Sequence, residues 1–336
     1  MTDHGGSLGR ARALFPQAPE PWIDLSTGIN PHAYPLFELP ATAFTRLPEA
    51  GRLRQLLDIA VVAYGAPSRD HLVAAPGTQI LLPLVASLVK PGLARVLDPT
   101  YAEHIRAAAI AGHRAEYVER FEELAEADLA ILVNPNNPDG RIVERSALLD
   151  LAGTMRRKGG LLVVDEAFMD VGPREHSVAG EVEESGLIVL KSFGKFFGLA
   201  GVRLGFALAD AATVRRLDDQ LGPWAVPGPA LEYGIRALAD MEWQNAMRSR
   251  LGREAAALDR VLARHGLDVT GGTDLFRFLR RPDAALVFKM LGRAGILIRN
   301  FEARPHDLRI GLPAGPEALA RLERVLTNWR GAEAAQ

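Results

Sequence analysis

Between about residues 72 and 210, short apolar runs alternate with amphipathic stretches, and this rhythm constrains the fold more than any other feature of the chain. Runs such as Leu161-Leu162-Val163-Val164 are apolar on successive residues, so both faces of such a strand must be covered. That is the signature of strands inside a mainly parallel sheet with helices on either side. The pattern predicts strands at Arg95–Asp98, Leu129–Val133, Leu161–Asp165, Leu187–Leu190 and Leu204–Leu208, with a helix over Ser146–Lys158 among the intervening segments. Ser146 is expected to cap that helix and Gly159-Gly160 to end it. An apolar helix is expected over Ile80–Val89. The fold class is therefore α/β, with a mainly parallel mixed sheet in the large domain.

After Pro223–Pro229 the pattern changes. Leu231–His265 reads as one long helix, followed by strands at Leu286–Met290, Ile296–Arg299 and Leu308–Gly311 and a last helix over Pro316–Trp329. This describes a smaller α+β domain. The expected division is an N-terminal arm over 1–35 that joins the small domain, a large domain over 36–230 and the small C-terminal domain over 231–336.

Composition removes several function classes. The chain of 336 residues has no cysteine, which excludes disulfides, thiolate metal sites and a cysteine nucleophile. A formal charge of -2 offers no general attraction for nucleic acid or an acidic membrane. The start of the chain lacks the apolar core of a secretory signal, and Ile80–Val89 is too short to span a bilayer, so a cytoplasmic enzyme is expected. Of 39 basic residues only five are lysine, and two of these, Lys191 and Lys195, fall in one Gly/Phe-rich segment.

That segment, Lys191-Ser-Phe-Gly-Lys195-Phe-Phe-Gly-Leu-Ala-Gly-Val-Arg203, carries the strongest chemistry. Its glycines permit tight turns near a ligand, and Ser192, Lys195 and Arg203 bring a hydroxyl, an amine and a bidentate anion fork within twelve residues. A lysine so placed is a candidate for Schiff-base chemistry, although a Gly-rich loop with surface lysines has the same spacing. The second segment, Leu161-Leu-Val-Val-Asp165-Glu166, also describes the magnesium-binding strand of P-loop ATPases. That reading requires glycine before a Lys-Ser/Thr pair, whereas Leu190 precedes Lys191-Ser192. Asp165 is left to face a ligand at the carboxyl edge of the sheet, or to cap a helix. The third segment, Asn134-Pro-Asn-Asn137-Pro-Asp-Gly140, is rich in turn residues and fixes an asparagine amide at the same edge. The fourth, Pro76-Gly77-Thr78-Gln79, opens a helix whose free N–H groups favour a phosphate. No Gly-x-Gly-x-x-Gly follows a strand, so a nicotinamide site has no support.

Taken together and in this order, the segments resemble fold-type I pyridoxal-phosphate (PLP) enzymes of the aminotransferase superfamily, from Asp24 to the C-terminal arginines. The resemblance implies PLP as cofactor, Lys195 as the lysine that bonds it and Asp165 as partner of the pyridine nitrogen. It implies Asn137 at the phenolic oxygen, and Gly77, Thr78, Gln79, Ser192 and Arg203 around the cofactor phosphate. The N-terminal His4-Gly5-Gly6, the run Asp24-Leu-Ser-Thr-Gly28-Ile-Asn-Pro and Phe168 are similar to threonine-phosphate decarboxylases of cobalamin biosynthesis. That likeness implies decarboxylation of L-threonine O-3-phosphate. It sets His4, Gly5 and Arg299 at the substrate phosphate or carboxylate and Arg309 at the α-carboxylate, with the assignment of arginine to anion left open.

Three residues depart from the pattern. His104 stands where relatives often stack a tyrosine on the cofactor ring, and Leu47-Pro48 replaces a Tyr-Pro that reaches the partner's cofactor. Gly28 stands where some members carry asparagine, leaving only a backbone contact. The alternative activity is transamination of the histidinol-phosphate type. A non-catalytic PLP-fold regulator is more remote, since no basic helix-turn-helix is present. The family also implies a homodimer.

Overall fold

The computed structural model describes residues 5–333. In chain order the strands are β1 Ile23–Leu25, β2 Leu72–Ala75, β3 Leu93–Leu97, β4 Arg114–Val118, β5 Leu129–Val133, β6 Leu161–Asp165, β7 Leu187–Ser192, β8 Gly205–Leu208, β9 Gly271–Thr273, β10 Phe276–Arg280, β11 Ile296–Phe301 and β12 Arg304–Gly311. The chain forms two compact units. The larger takes Ala33–Asn137 and Arg141–Trp243; the smaller gathers residues up to His32, Pro138–Gly140 and Gln244 onward.

The larger unit is built on a sheet of order β2-β8-β7-β6-β5-β3-β4. Its pairings are parallel except those of β8, which runs antiparallel to both β2 and β7. Every residue of β5, β6 and β7 is buried. Leu161 and Val163 enter one core with Leu81, Val85, Ala107 and Ile188, while Leu162 and Val164 point to the opposite face and are equally buried. The continuous apolar run in the sequence is thus explained by two covered faces. Parallel strands end at one edge, so the carboxyl ends of β5, β6 and β7 bring Asn134, Asp165 and Ser192 to the same side.

The smaller unit has a sheet of order β1-β11-β12-β10-β9, in which β1 runs parallel to β11 although Ile23 and Ile296 are far apart in the chain. The fold is the α/β class expected, with a mainly parallel mixed sheet and a second α+β unit.

Several local expectations are corrected. Leu286–Met290 is part of a helix, Ala284–Arg293, in which Ala284, Val287 and Leu291 are buried while Leu286 is 58% exposed. The burial follows the helical period, which a five-residue window conceals. The single helix expected over Leu231–His265 is two, Gly228–Ala239 and Met241–Arg264. They break at Asp240, whose non-helical backbone lets its carboxylate accept the N–H of Trp243 at 2.9 Å, as an N-cap does. The helix placed at Ser146 starts at Arg145, with Glu144 at the cap and no side-chain cap bond. The N-terminal arm contains a helix, Leu8–Leu14. Strands β1, β2, β4, β9 and β10 lie outside the runs that the sequence pattern marks as strands. Arg114–Val118 is mostly polar or exposed, and Leu72–Ala75 is brief.

Candidate functional site

Within the larger unit the helix Thr78–Ala86 begins at Gly77, whose φ of +86° suits glycine and whose N-terminus carries no side-chain cap. Its first N–H groups therefore lack intrahelical partners and face outward. A Cβ on Gly77 would lie 2.3 Å from Nη2 of Arg203, and one on Gly205 would lie 2.6 Å from the Thr78 nitrogen. Glycine at both positions lets the backbone of Gly77-Thr78 pack between β8 and the guanidinium. Arg203 adopts a left-handed backbone, φ 56°, and donates to the Ala200 carbonyl at 3.1 Å. Open helix N–H groups beside a guanidinium form a cradle for a phosphate dianion.

Ser192 closes β7 and is buried; Lys195, three residues on, lies in the short helical turn Phe193–Phe196. The Lys195 ammonium sits 5.8 Å from the centre of the buried Phe168 ring. At the end of β6, Asp165 is 6% exposed. Its Oδ1 accepts the Ala167 N–H at 3.0 Å, and its Oδ2 lies 2.9 Å from Nε2 of His104. The neighbouring Glu166 points away from Asp165. It is fully buried and receives Ser177 Oγ at 2.6 Å, the Val178 N–H at 2.8 Å and the Lys191 ammonium. The two lysines of the segment thus differ: Lys191 is buried in an ion pair and Lys195 is half-buried.

In the β5 loop, Asn134 and Asn136 are structural. Asn134 binds both the N–H and the carbonyl of Val143, and Asn136 donates to the Pro99 carbonyl and accepts from Thr100. Asn137, the last asparagine of the turn, is half-buried. Tyr101 and Glu103 were not singled out from the sequence, yet they fix Gln79. The Tyr101 hydroxyl donates to Gln79 Oε1 at 3.1 Å, and Gln79 Nε2 donates to Glu103 Oε2 at 3.1 Å. Both ends of the Gln79 amide contact protein, and its backbone N–H lies at the start of the helix, where an anion is favoured. Burial, then the carboxylates of Glu103 and Asp165, push the Tyr101 phenol up to about 12 against the pull of Arg203.

The smaller unit holds a second group. Arg299 on β11 and Arg309 on β12 are direct cross-strand partners, so their side chains share one face. Arg309 is 7% exposed, donates to the Ser26 carbonyl at 2.8 Å and lies over the Phe276 ring. Its burial, followed by repulsion from Arg299, lowers its pKa to about 10, with Asp24 opposing. Ser26 is held in turn. Its N–H and hydroxyl both donate to Asp24 Oδ1, at 2.8 and 2.6 Å, and its Oγ accepts the Gly6 N–H at 2.7 Å. A Cβ on Gly5 would lie 2.4 Å from the Ser26 carbonyl oxygen, so that backbone approach requires glycine. A cavity of about 170 Å³ is bordered here by Gly5, Gly6, Ser26, Arg299 and Asn300. Gly28 is buried just beyond β1, and His4 lies outside the described residues. The Asp24-x-Ser26 spacing, an Asx-type turn, was the available signal for this local network.

An amine, a buried carboxylate and a phosphate cradle in the larger unit suit PLP, whose aldehyde, pyridine nitrogen and phosphate need those three groups. The family described as aminotransferase class I and II matches residues 66–325. The chain is 41% identical to a threonine-phosphate decarboxylase of Pseudomonas aeruginosa, covering 98% of both chains. It is 42% identical to a threonine-phosphate decarboxylase of a Sinorhizobium species, covering 95% of this chain and 98% of the relative. Identity to a histidinol-phosphate aminotransferase of Aeromonas salmonicida is 27%, over 84% of this chain and 83% of that one. The solved histidinol-phosphate aminotransferase of Clostridium acetobutylicum shares the fold, with a TM-score of 0.79 and 20% identity over 92% of this chain and 99% of that one.

Proposed function

This chain belongs to the aminotransferase class I and II family, and from that premise we propose that it is a PLP-dependent carboxy-lyase. It converts L-threonine O-3-phosphate to (R)-1-amino-2-propanol O-2-phosphate for cobalamin biosynthesis. The observation that carries this reading is the near full-length identity of 41% and 42% to two threonine-phosphate decarboxylases, against 27% to a histidinol-phosphate aminotransferase. The facing pair Arg299 and Arg309 agrees with it. Threonine phosphate brings a phosphate and a carboxylate at once, whereas histidinol phosphate brings only the phosphate.

In this reading Lys195 bonds the cofactor through Nζ. The N–H groups of Thr78 and Gln79, the Ser192 hydroxyl and Arg203 hold its phosphate beside Gly77, and Asn137 meets its phenolic oxygen. When bound, PLP supplies the electron-poor ring that takes up the electron pair released as carbon dioxide leaves. Asp165 holds a proton on the ring nitrogen through a carboxylate oriented by the Ala167 N–H and His104. Arg309 and Arg299, with the backbone of Gly5 and Gly28 and with His4, grip the substrate's two anions and so select which bond at its Cα is broken. That selection by orientation separates decarboxylation from amino transfer. Phe168 places its ring beside Lys195, and once the substrate's amine has displaced Lys195 from the cofactor, the freed Nζ, or a water it positions, returns a proton to Cα.

The enzyme works in the cytoplasm as a homodimer. Among the described residues no helix is long and apolar enough to cross a membrane. Phe44, Leu47 and Trp224 of the larger unit are 67%, 64% and 58% exposed, apolar surface of the kind that a second copy would cover. The deciding experiment incubates the PLP-loaded protein with threonine phosphate and follows carbon dioxide, aminopropanol phosphate and amino transfer to a 2-oxo acid in parallel. Gas release with aminopropanol phosphate is expected. Amino transfer without gas would overturn the assignment.

A further inference from the structure

Lys195 stands in a turn with little stability of its own. Phe193–Phe196 is a single helical turn, too short to keep its shape by its own hydrogen bonds, so its placement comes from what packs around it. Phe193, Phe196 and Phe197 are each no more than 1% exposed. Phe197 lies nearly parallel to Phe193, with ring centres 4.5 Å apart at 19°, and nearly parallel to Trp243, at 5.6 Å and 14°. Phe196 meets the same Trp243 edge-on at 5.5 Å. The two rings that follow Lys195 directly therefore both rest on one half-buried indole, supplied from the start of the helix Met241–Arg264. That indole is held in turn. The break at Asp240 presents a carboxylate whose Oδ1 accepts the Trp243 main-chain N–H at 2.9 Å and whose Oδ2 accepts the Tyr34 hydroxyl at 3.0 Å. The Tyr34 ring stands edge-on to Trp243 at 5.0 Å and to Phe197 at 6.4 Å, and its N–H donates to the Phe197 carbonyl at 2.8 Å. Tyr34, Asp240 and Trp243 thus form one bracket around Phe197, all within the larger unit.

We propose that Trp243, with Tyr34 and Asp240 behind it, is a positioning residue that acts through Phe197 on Lys195 and fixes where its amine stands. The proposal rests on the reading of Lys195 as the residue that bonds the cofactor. In that bond the neutral Lys195 nitrogen attacks the aldehyde carbon, and its two hydrogens leave with the aldehyde oxygen as water. The extent of bonding depends on how closely amine and aldehyde are held in register, so a turn that shifts lowers it while the rest of the pocket stays as it was. Offset and edge-on rings have preferred geometries and resist sliding, and the Asp240 carboxylate ties Tyr34 to the start of the helix that carries Trp243.

The test titrates the PLP-free full chain with two ligands. One is PLP; the other is pyridoxine 5′-phosphate, which carries an alcohol in place of the aldehyde and so measures the pocket without the bond. The ratio of the two affinities isolates Lys195, and in the unaltered protein it should favour PLP. Trp243→Leu keeps apolar bulk and loses the stack. It is expected to reduce the ratio about 10-fold, the order that an aromatic contact contributes, and to leave the affinity for pyridoxine phosphate within about 2-fold. Trp243→Phe supplies a flat ring again and should recover most of the ratio. An unchanged ratio in Trp243→Leu, or an equal loss of both ligands, would overturn the proposal, the second result marking a merely structural part. Asp240→Asn keeps every ring and serves where the leucine variant does not fold. It weakens the bracket by one charge-assisted bond and should reduce the ratio about 3-fold, and a constant ratio there overturns the proposal equally. An unaltered protein that prefers neither ligand would refute Lys195 as the bonding residue and the proposal with it, a result distinct from the others.

Discussion

Arg203 keeps a left-handed backbone at φ 56°, a conformation that costs a side-chain-bearing residue roughly 1 kcal/mol. Its guanidinium beside Gly77 is the compensating gain. Replacing Arg203 with glycine should therefore separate two quantities. Affinity for PLP should fall by about 10-fold to 100-fold, measured by cofactor titration, because charge-assisted contacts to phosphate are lost. Unfolding by urea should show no matching loss of stability. Tyr101 gives a prediction in pH. Its pKa is raised to about 12 in the folded chain above an ordinary value near 10, so the folded state binds the proton more tightly than the unfolded one. The stability it contributes is complete below about pH 10 and is lost as pH rises through about 12. Tyr101→Phe should flatten the alkaline decline of the thermal midpoint, and it should also release the Gln79 amide.

At the scale of elements, β6 and β7 are joined beneath the candidate site by Glu166 and Lys191, an ion pair sealed from water. Lys191→Met would strand a buried carboxylate with only Ser177 and Val178 as partners, a loss of about 3–5 kcal/mol that urea unfolding would register. The facing arginines of β11 and β12 predict the opposite kind of effect. Two like charges on one sheet face repel, so phosphate or threonine phosphate should raise the thermal midpoint of the PLP-free protein, and Arg299→Gln should diminish that gain. These elements were not equally legible beforehand. The strands β5, β6 and β7 were plain because their two covered faces keep each run apolar until its carboxyl end, where the chemistry follows. Leu286–Met290 was misread because apolar helix and apolar strand are alike over five residues, and only the exposure of Leu286 tells them apart. Lys191 and Lys195 look interchangeable in sequence. Their difference arises from Glu166, a partner 25 positions away. Tyr101 and Glu103 were hidden for a similar reason, since their task is to hold another side chain.

At the scale of the whole molecule, the smaller unit is assembled from distant parts of the chain, with Ile23 set against Ile296. Such long-range pairing closes late, so refolding should be slower than for a chain of local contacts, and removing residues 1–32 should expose β11 along its β1 edge and promote aggregation. The apolar surface around Trp224 makes a separate prediction. Trp224→Asp should shift sedimentation toward a monomer that separates on dilution. Finally, the placement of the lysines has a practical side. Lys90, Lys158 and Lys289 are exposed, Lys191 is sealed within the sheet and Lys195 is half-covered. Reagents that seek primary amines, including those used to tether enzymes to a resin or attach a dye, would meet three of the five side chains on open surface, and a bound cofactor would mask the one that matters for turnover.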